Sequence, residues 1–249
     1  MIYYLCRTMQ TQVKLFLFFL GISLSFISKA DIGDPVLDST AQEKACKVEY
    51  EISDRYCSLG DSTLQFDIFQ KAYVGYLNMV KLNKVKKKDT LTIVDFSQGS
   101  LNERMYIIDL KSNKIIHKSV VAHGMNSGRH IPKYFSNEEG SKKSSLGFYT
   151  IDNTYKGKFD LAVKLNGLEY SNSHAHRRGV VIHAAKYANV EWAKKNGALG
   201  RSFGCPAIPE KDFEKVVEMI KGGSTLFIYA PNRSYLRRSK LINRQYYLK

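Results

Sequence analysis

Only four cysteines and five prolines occur in 249 residues, and acidic side chains are outnumbered 23 to 38 by lysine and arginine. No segment repeats and none is of low complexity, which excludes array folds and leaves a chain able to bury a core. Long apolar runs are also missing. The longest, residues 15–27, has thirteen residues, short of the roughly 20 that a membrane-spanning helix needs. Asp31 rather than a cysteine follows it, which excludes a lipoprotein anchor.

That run has another reading. Lys14 precedes it, and Ser28-Lys29-Ala30 places small residues at positions −3 and −1 of a cleavage site. The pattern predicts a secretory signal peptide over residues 1–30 and an exported chain, in the periplasm or cell envelope, that begins at Asp31. Removing Arg7, Lys14 and Lys29 lowers the formal charge from +15 to +12. An exported basic surface suits an anionic wall polymer or membrane surface better than nucleic acid, and equally serves solubility. Cleavage would leave Cys46, Cys57 and Cys205. In an oxidising compartment the odd count predicts a Cys46–Cys57 disulfide and a free Cys205, the alternative being two buried thiols.

Residues 31–88 read as an N-terminal extension with one helix. Residues 31–60 lack sustained periodicity and suggest an irregular segment. Ser62 with Gln65 then forms a capping-box pattern, and Phe69, Tyr73, Tyr76, Leu77 and Val80 follow at helical spacing as a packing face. Residues 89–232 change period. "LTIVDF", "RMYIIDL", "KIIHKSVVAHG", "SSLGFYTID", "LAVKLNGLEY", "RGVVIHAA" and "STLFIYA" read as short strands, with a long polar loop over residues 123–145. "PEKDFEKVVEMIKGG" predicts a helix with Phe213, Val216, Val217 and Ile220 on one face and Gly222 at its C-terminal end. Residues 233–249 form a basic, aromatic tail that reads as a frayed terminus.

The chemistry concentrates in "GRSFGCPAIP", residues 200–209, and "RGVVIHAAKY" just upstream. Cys205 sits in a turn too polar and glycine-rich for a core cysteine. A thiol attacks as its thiolate, and a neighbouring imidazole or a helix N-terminus can assist ionisation. His183, at the end of a buried-looking strand, is the candidate base. Gly204 permits close backbone approach, and successive N–H groups there suit an oxyanion hole. Ser202 is placed to hydrogen-bond within the loop or to hold the histidine.

"VIHAA" followed by "GRSFGCPAIP" resembles the His plus S-x-G-C signature of the murein L,D-transpeptidase catalytic domain family (YkuD-type), in the branch where Pro-Ala follows the cysteine. "VVAHGMNSG", "FSNEEGSKKSSLGFY" and "YKGKFDLAVKLNGLEYSN" agree in order, so the resemblance spans residues 91–230. It implies a mainly β catalytic domain of sandwich or barrel type with accessory helices. It implies Cys205 as nucleophile, His183 as general base held by a backbone carbonyl, and Ser202 and Gly204 as the remaining motif positions. It also implies peptidoglycan stem peptides as partners and no cofactor. The thiol would attack the third-residue carbonyl of a tetrapeptide stem and release D-alanine. An amine from a neighbouring stem would then resolve the acyl-enzyme into a 3–3 cross-link. The better-known branch has an arginine two residues after the cysteine, where this chain has Ala207; Arg201, Arg177 or Arg178 are the candidates to supply that cation for substrate binding.

Rival readings use the same residues or others. An L,D-carboxypeptidase or cross-link hydrolase would share Cys205 and His183, and a protein amine would be another acceptor. "SHAHRRG" offers His174 and His176 to a metal, with His123, His183 and Cys205 as further ligands, but no carboxylate completes a familiar zinc pattern, so no metal is expected. A non-catalytic wall-binding module would explain the charge but not a free cysteine in a glycine turn.

Overall fold

The computed structural model describes residues 39–157 and 160–248; the expected signal peptide and its cleavage site lie outside the described residues. The chain divides into two compact units, one of residues 1–70 with 248–249 and the other of residues 71–247.

In the first unit, helix α1 (Ser39–Leu59) occupies the segment expected to be irregular. Its apolar stripe is narrow: Ile52 is buried, while Ala45, Val48, Tyr56 and Leu59 at helical spacing are only half-buried. Ion pairs one turn apart, Lys47–Glu43 and Arg55–Glu51, each at 2.8 Å, line the polar side. This helix also overturns the expected Cys46–Cys57 disulfide. Cys57 is disulfide-bonded, but Cys46 is a free thiol. Eleven residues of helix hold their Cα atoms about 16 Å apart at 1.5 Å per residue, whereas a disulfide tolerates about 7 Å. After α1 the chain turns at Asp61, whose Oδ1 accepts the N–H groups of Thr63 and Leu64 at 2.8 and 3.0 Å. The Ser62–Gln65 capping box is therefore not the start of the next helix, α2 (Phe66–Lys81), whose first turn hangs instead on the Gln65 carbonyl.

The face that α2 buries is rotated from expectation. Phe69, Tyr73 and Tyr76 are buried, but Ile68, Ala72 and Met79 join them while Leu77 and Val80 stay half-buried. In the larger unit, Gly75 lets this helix sit directly on Phe148, since a Cβ there would stand 1.9 Å from the ring.

That larger unit is built on one eight-stranded sheet in the order β3-β2-β1-β8-β4-β5-β6-β7. The strands are β1 (Thr90–Asp95), β2 (Met105–Asp109), β3 (Lys114–Ser119), β4 (Gly147–Gly157), β5 (Asp160–Gly167), β6 (Val181–Ala184), β7 (Ala207–Ile208) and β8 (Ser224–Tyr229). β1 and β8 are parallel and buried at every position, which is why "LTIV" and "LFIY" read as continuous apolar runs rather than alternation. The segment after β3 meets β7 at the bridge Ala122–Ala207 and the turn before β7 at the bridge Gly124–Ser202, so the sheet nearly closes on itself. The expected mainly β fold with accessory helices is what forms.

Helix α3 (Val190–Asn196), absent from the sequence reading, is capped by the Asn189 side chain on the Trp192 N–H. Helix α4 (Glu210–Ile220) buries Phe213, Val216, Val217 and Ile220 as expected, and Gly222 follows with φ +92°. The tail is not frayed. It forms α5 (Arg233–Arg238) and α6 (Lys240–Asn243). Tyr235 and Ser239 hydrogen-bond the buried Glu169 carboxylate, and the Asn78 amide reaches the carbonyls of Leu241 at 2.8 Å and Arg244 at 2.6 Å. Buried long-range bonds of this kind have no periodicity for a sequence to display.

Candidate active site

β6 and β7 run parallel, with His183 opposite Ala207. The His183 N–H reaches the Pro206 carbonyl at 3.4 Å. This pairing brings the histidine and the turn carrying Cys205, distant in sequence, to adjoining strand ends. His183 is 6% exposed, and its Nδ1 lies 2.9 Å from the Ala184 carbonyl. A carbonyl only accepts, so Nδ1 carries the proton and Nε2 keeps its lone pair. Burial pulls the imidazole below its ordinary pKa, opposed by the Ala184 hydrogen bond. Cys205 is a free, half-buried thiol whose Sγ donates to the Gly179 carbonyl at 3.7 Å. Burial pushes the thiol up, while the Val181 backbone N–H, the Arg178 charge and its own N–H pull it down. Both directions favour an uncharged thiol–imidazole pair at rest.

Two serines hold the turn. Ser202 Oγ accepts the Gly204 N–H at 3.0 Å and donates to the Cys205 carbonyl at 2.6 Å. Ser202 N–H in turn binds the His123 carbonyl at 2.9 Å. Ser144, which sequence reasoning passed over, accepts the Gly124 N–H at 3.0 Å and donates to the Gly204 carbonyl at 3.2 Å. Gly204 itself has φ +128°, and a Cβ there would stand 2.8 Å from the Lys143 carbonyl. Glycine is thus required by both conformation and space. Because the Gly204 N–H is already taken, the backbone N–H groups facing the sulfur are those of Val181 and Cys205.

The candidate cations separate clearly. Arg201 is exposed, with Nη1 3.4 Å from the Met125 carbonyl, and Arg177 is exposed and pairs with Glu139 at 3.7 Å. Only Arg178 is coupled to the Cys205 thiol. Ala207 is fully buried in a cluster with Val120, Ala122, Ala185, Ala188 and Leu199, where no arginine head group fits. Tyr187 packs on this cluster, and burial together with Cys205 pushes its hydroxyl up to about 12.

The remaining histidines lie elsewhere. His174 is exposed on the Asn137 carbonyl at 3.1 Å, and His176 is exposed beside it. His123 is 1% exposed, accepts from the Arg104 guanidinium at Nδ1 (2.8 Å) and donates from Nε2 to Gly128 (3.1 Å). Arg104 is itself fully buried and lies over the Phe96 ring at 4.7 Å. Among the described residues, no three His, Cys, Asp or Glu side chains converge as a metal-ligand set.

No curated protein matches this sequence. Among solved structures, an L,D-transpeptidase from Stackebrandtia nassauensis is 17% identical over 68% of this chain and 67% of its own, with TM-score 0.37. One from Mycobacterium smegmatis is 13% identical over 57% of this chain and 59% of its own, with TM-score 0.36. L,D-transpeptidase 3 from Mycobacterium tuberculosis is 14% identical over 57% of this chain and 61% of its own, with TM-score 0.37. The chain therefore spans 59% and 61% of the length of these two mycobacterial proteins. A family model, the L,D-transpeptidase catalytic domain, matches residues 60–229, and by that match over most of its length this chain belongs to the L,D-transpeptidase catalytic domain family.

Proposed function

We propose that this protein is an exported cysteine L,D-transpeptidase acting on peptidoglycan stem peptides, with Cys205 as nucleophile and His183 as general base. One observation carries the reading. A serine-pinned glycine turn presents a free thiol at the end of the strand pair that also holds an imidazole with an unprotonated Nε2. An amide is a poor electrophile, so the site needs a strong nucleophile, a proton carrier and donors for the developing oxyanion.

In the first half-reaction the thiol proton passes to His183 Nε2 as sulfur bonds the stem carbonyl carbon. The Cys205 and Val181 N–H groups are available to the oxyanion. The C–N bond to D-alanine then breaks, and the leaving amine takes the proton back from His183. In the second half-reaction an acceptor amine attacks the thioester and loses a proton to His183. The thiol recovers that proton as the cross-link forms. Ser202 and Gly204 set the turn, and Arg201 lines its exposed side.

The test is mass-detected acylation of the purified protein by a tetrapeptide stem. Cys205→Ala abolishes the adduct, and an adduct persisting on Cys205→Ala would sink the assignment. Stem dimers among the products support transpeptidation. Trimmed tripeptide without dimers points instead to the L,D-carboxypeptidase reading of the same site.

A further inference from the structure

The side chain of Arg178 makes four hydrogen bonds, all to the long polar loop of residues 123–145. Nη1 donates to the Ser136 carbonyl at 2.7 Å and to Ser145 Oγ at 3.3 Å. Nη2 donates to the Lys143 carbonyl at 2.7 Å and to Ser141 Oγ at 3.3 Å. Each terminal nitrogen carries two hydrogens, so both are filled. The same Nη2 would stand 3.2 Å from a Cβ on Gly204, so the guanidinium lies against the residue before Cys205. The residue after the arginine, Gly179, offers its carbonyl to the Cys205 sulfur. Arg178-Gly179 and Gly204-Cys205 are therefore packed side by side.

We propose that Arg178 is a positioning residue that clamps the 136–145 loop against the nucleophile turn and supplies the fixed positive charge beside Cys205, without itself binding substrate. The proposal rests on the assignment of Cys205 as nucleophile. With its terminal nitrogens filled, the guanidinium has no fork left for a substrate carboxylate, so its action runs through the loop and through its charge. A half-buried guanidinium held this way cannot relax away from a thiolate that forms next to it; burial lowers its pKa, and the Tyr149 and Cys205 charges oppose that shift. The other titratable side chain acting on the sulfur is Tyr187, a hydroxyl uncharged at neutral pH, while His183 lies on the adjoining strand β6. Neither offers a permanent positive charge, which leaves Arg178 to provide it.

The clamp also accounts for the two close approaches in this region. Gly124 and Gly204 both face the backbone of residues 142–144, at 2.6 and 2.8 Å from a would-be Cβ. A lysine at 178 would keep a charge, but one ammonium cannot span acceptors at Ser136 and Lys143 together.

The experiment uses the full chain as wild type, Arg178→Gln and Arg178→Lys. Cys205 alkylation by iodoacetamide is followed across pH by peptide mass, with free Cys46 as the internal control, alongside hydrogen exchange of residues 136–145. In Arg178→Gln, Cys205 alkylation at neutral pH is expected to fall about 3- to 10-fold, the loss of thiolate that follows when a nearby cation is removed. Its profile moves to higher pH while that of Cys46 stays. In Arg178→Lys the profile stays near wild type, but exchange in 136–145 accelerates. An Arg178→Gln profile superimposable on wild type overturns the proposal, as does unchanged loop exchange in Arg178→Lys. If Arg178→Gln fails to fold, the Arg178→Lys pair of readouts decides alone. Neither readout needs substrate. Wild-type protein that alkylates as described but takes no adduct from a tetrapeptide stem refutes the transpeptidase reading and leaves the role of Arg178 standing.

Discussion

The Ser202 hydroxyl donates to the carbonyl of Cys205 at 2.6 Å, closing the cysteine turn from within. The same oxygen accepts the Gly204 N–H, so one side chain fixes the peptide units on either side of the Gly204–Cys205 peptide. Ser202→Ala removes both bonds, and each lost partner of a buried polar group costs about 1–3 kcal/mol. The expected result is a lower melting temperature and slower stem acylation. Iodoacetamide, which needs no oriented attack, still labels Cys205. Equal loss of both reactions would mean that Ser202 only supports the fold.

Acylation should have an unusual pH profile. Burial lowers the His183 pKa and raises that of Cys205, so the uncharged pair is the form that reacts. The rate then falls only as acid protonates His183, below the ordinary imidazole range. His183→Gln should remove this acidic limb and slow acylation by about 10²- to 10⁴-fold, the span of a general base. An acidic limb at or above the ordinary imidazole pKa would refute the resting state described.

His123 makes the fold acid-sensitive. Burial and the Arg104 charge lower its pKa from 6.5 to about 3. Above 6.5 neither the folded nor the unfolded state carries the proton, and the group has no effect on stability. Between 6.5 and about 3 the unfolded chain binds a proton that the folded chain refuses, so stability falls with pH. The slope from this one group is at most about 1.4 kcal/mol per pH unit. Urea unfolding at pH 7 and pH 5 should show it, and His123→Gln should flatten the difference. A pH-independent midpoint in the wild type would contradict it.

Gly75→Ala should be destabilising although alanine is the better helix former. Its methyl would enter the Phe148 ring. Overpacking of this kind costs about 1–3 kcal/mol, outweighing the roughly 1 kcal/mol gained in helix propensity. Phe148→Leu in the same chain should recover part of the loss, whereas independent effects would simply add.

The C-terminal segment should prove structural. Asn78→Leu strips the carbonyls of Leu241 and Arg244 of their donor and leaves the Tyr247 N–H without its acceptor. Faster hydrogen exchange over residues 240–247 is the expected outcome. Unaltered exchange there would mean that the tail is held by other contacts.

Much of the β unit was legible because its strands are short β-branched or aromatic runs bounded by turn residues. Helix α4 was legible because four of its apolar side chains share one face. α1 was not: its half-buried stripe is too weakly apolar to announce itself, and it packs through Tyr56, which meets the Phe66 and Phe69 rings and donates to the Leu64 carbonyl. The docked tail and Ser144 escaped notice for a related reason. Their partners are backbone carbonyls and a carboxylate far away in sequence, and local composition carries no record of those.

The sequence by itself determined the turn that carries Cys205. A cysteine between Gly204 and Pro206, with Ser202 ahead of them, forms a local hydrogen-bonded unit whose chemistry follows from residue type and spacing. It also determined that a histidine would end a buried strand nearby. Which of Arg177, Arg178 and Arg201 stands beside the thiol was decided only by tertiary structure. Three arginines look alike in sequence, and the choice depends on where a long loop returns. Arg178 is selected because the carbonyls of Ser136 and Lys143 converge on it, while Arg177 and Arg201 are left at the exposed surface.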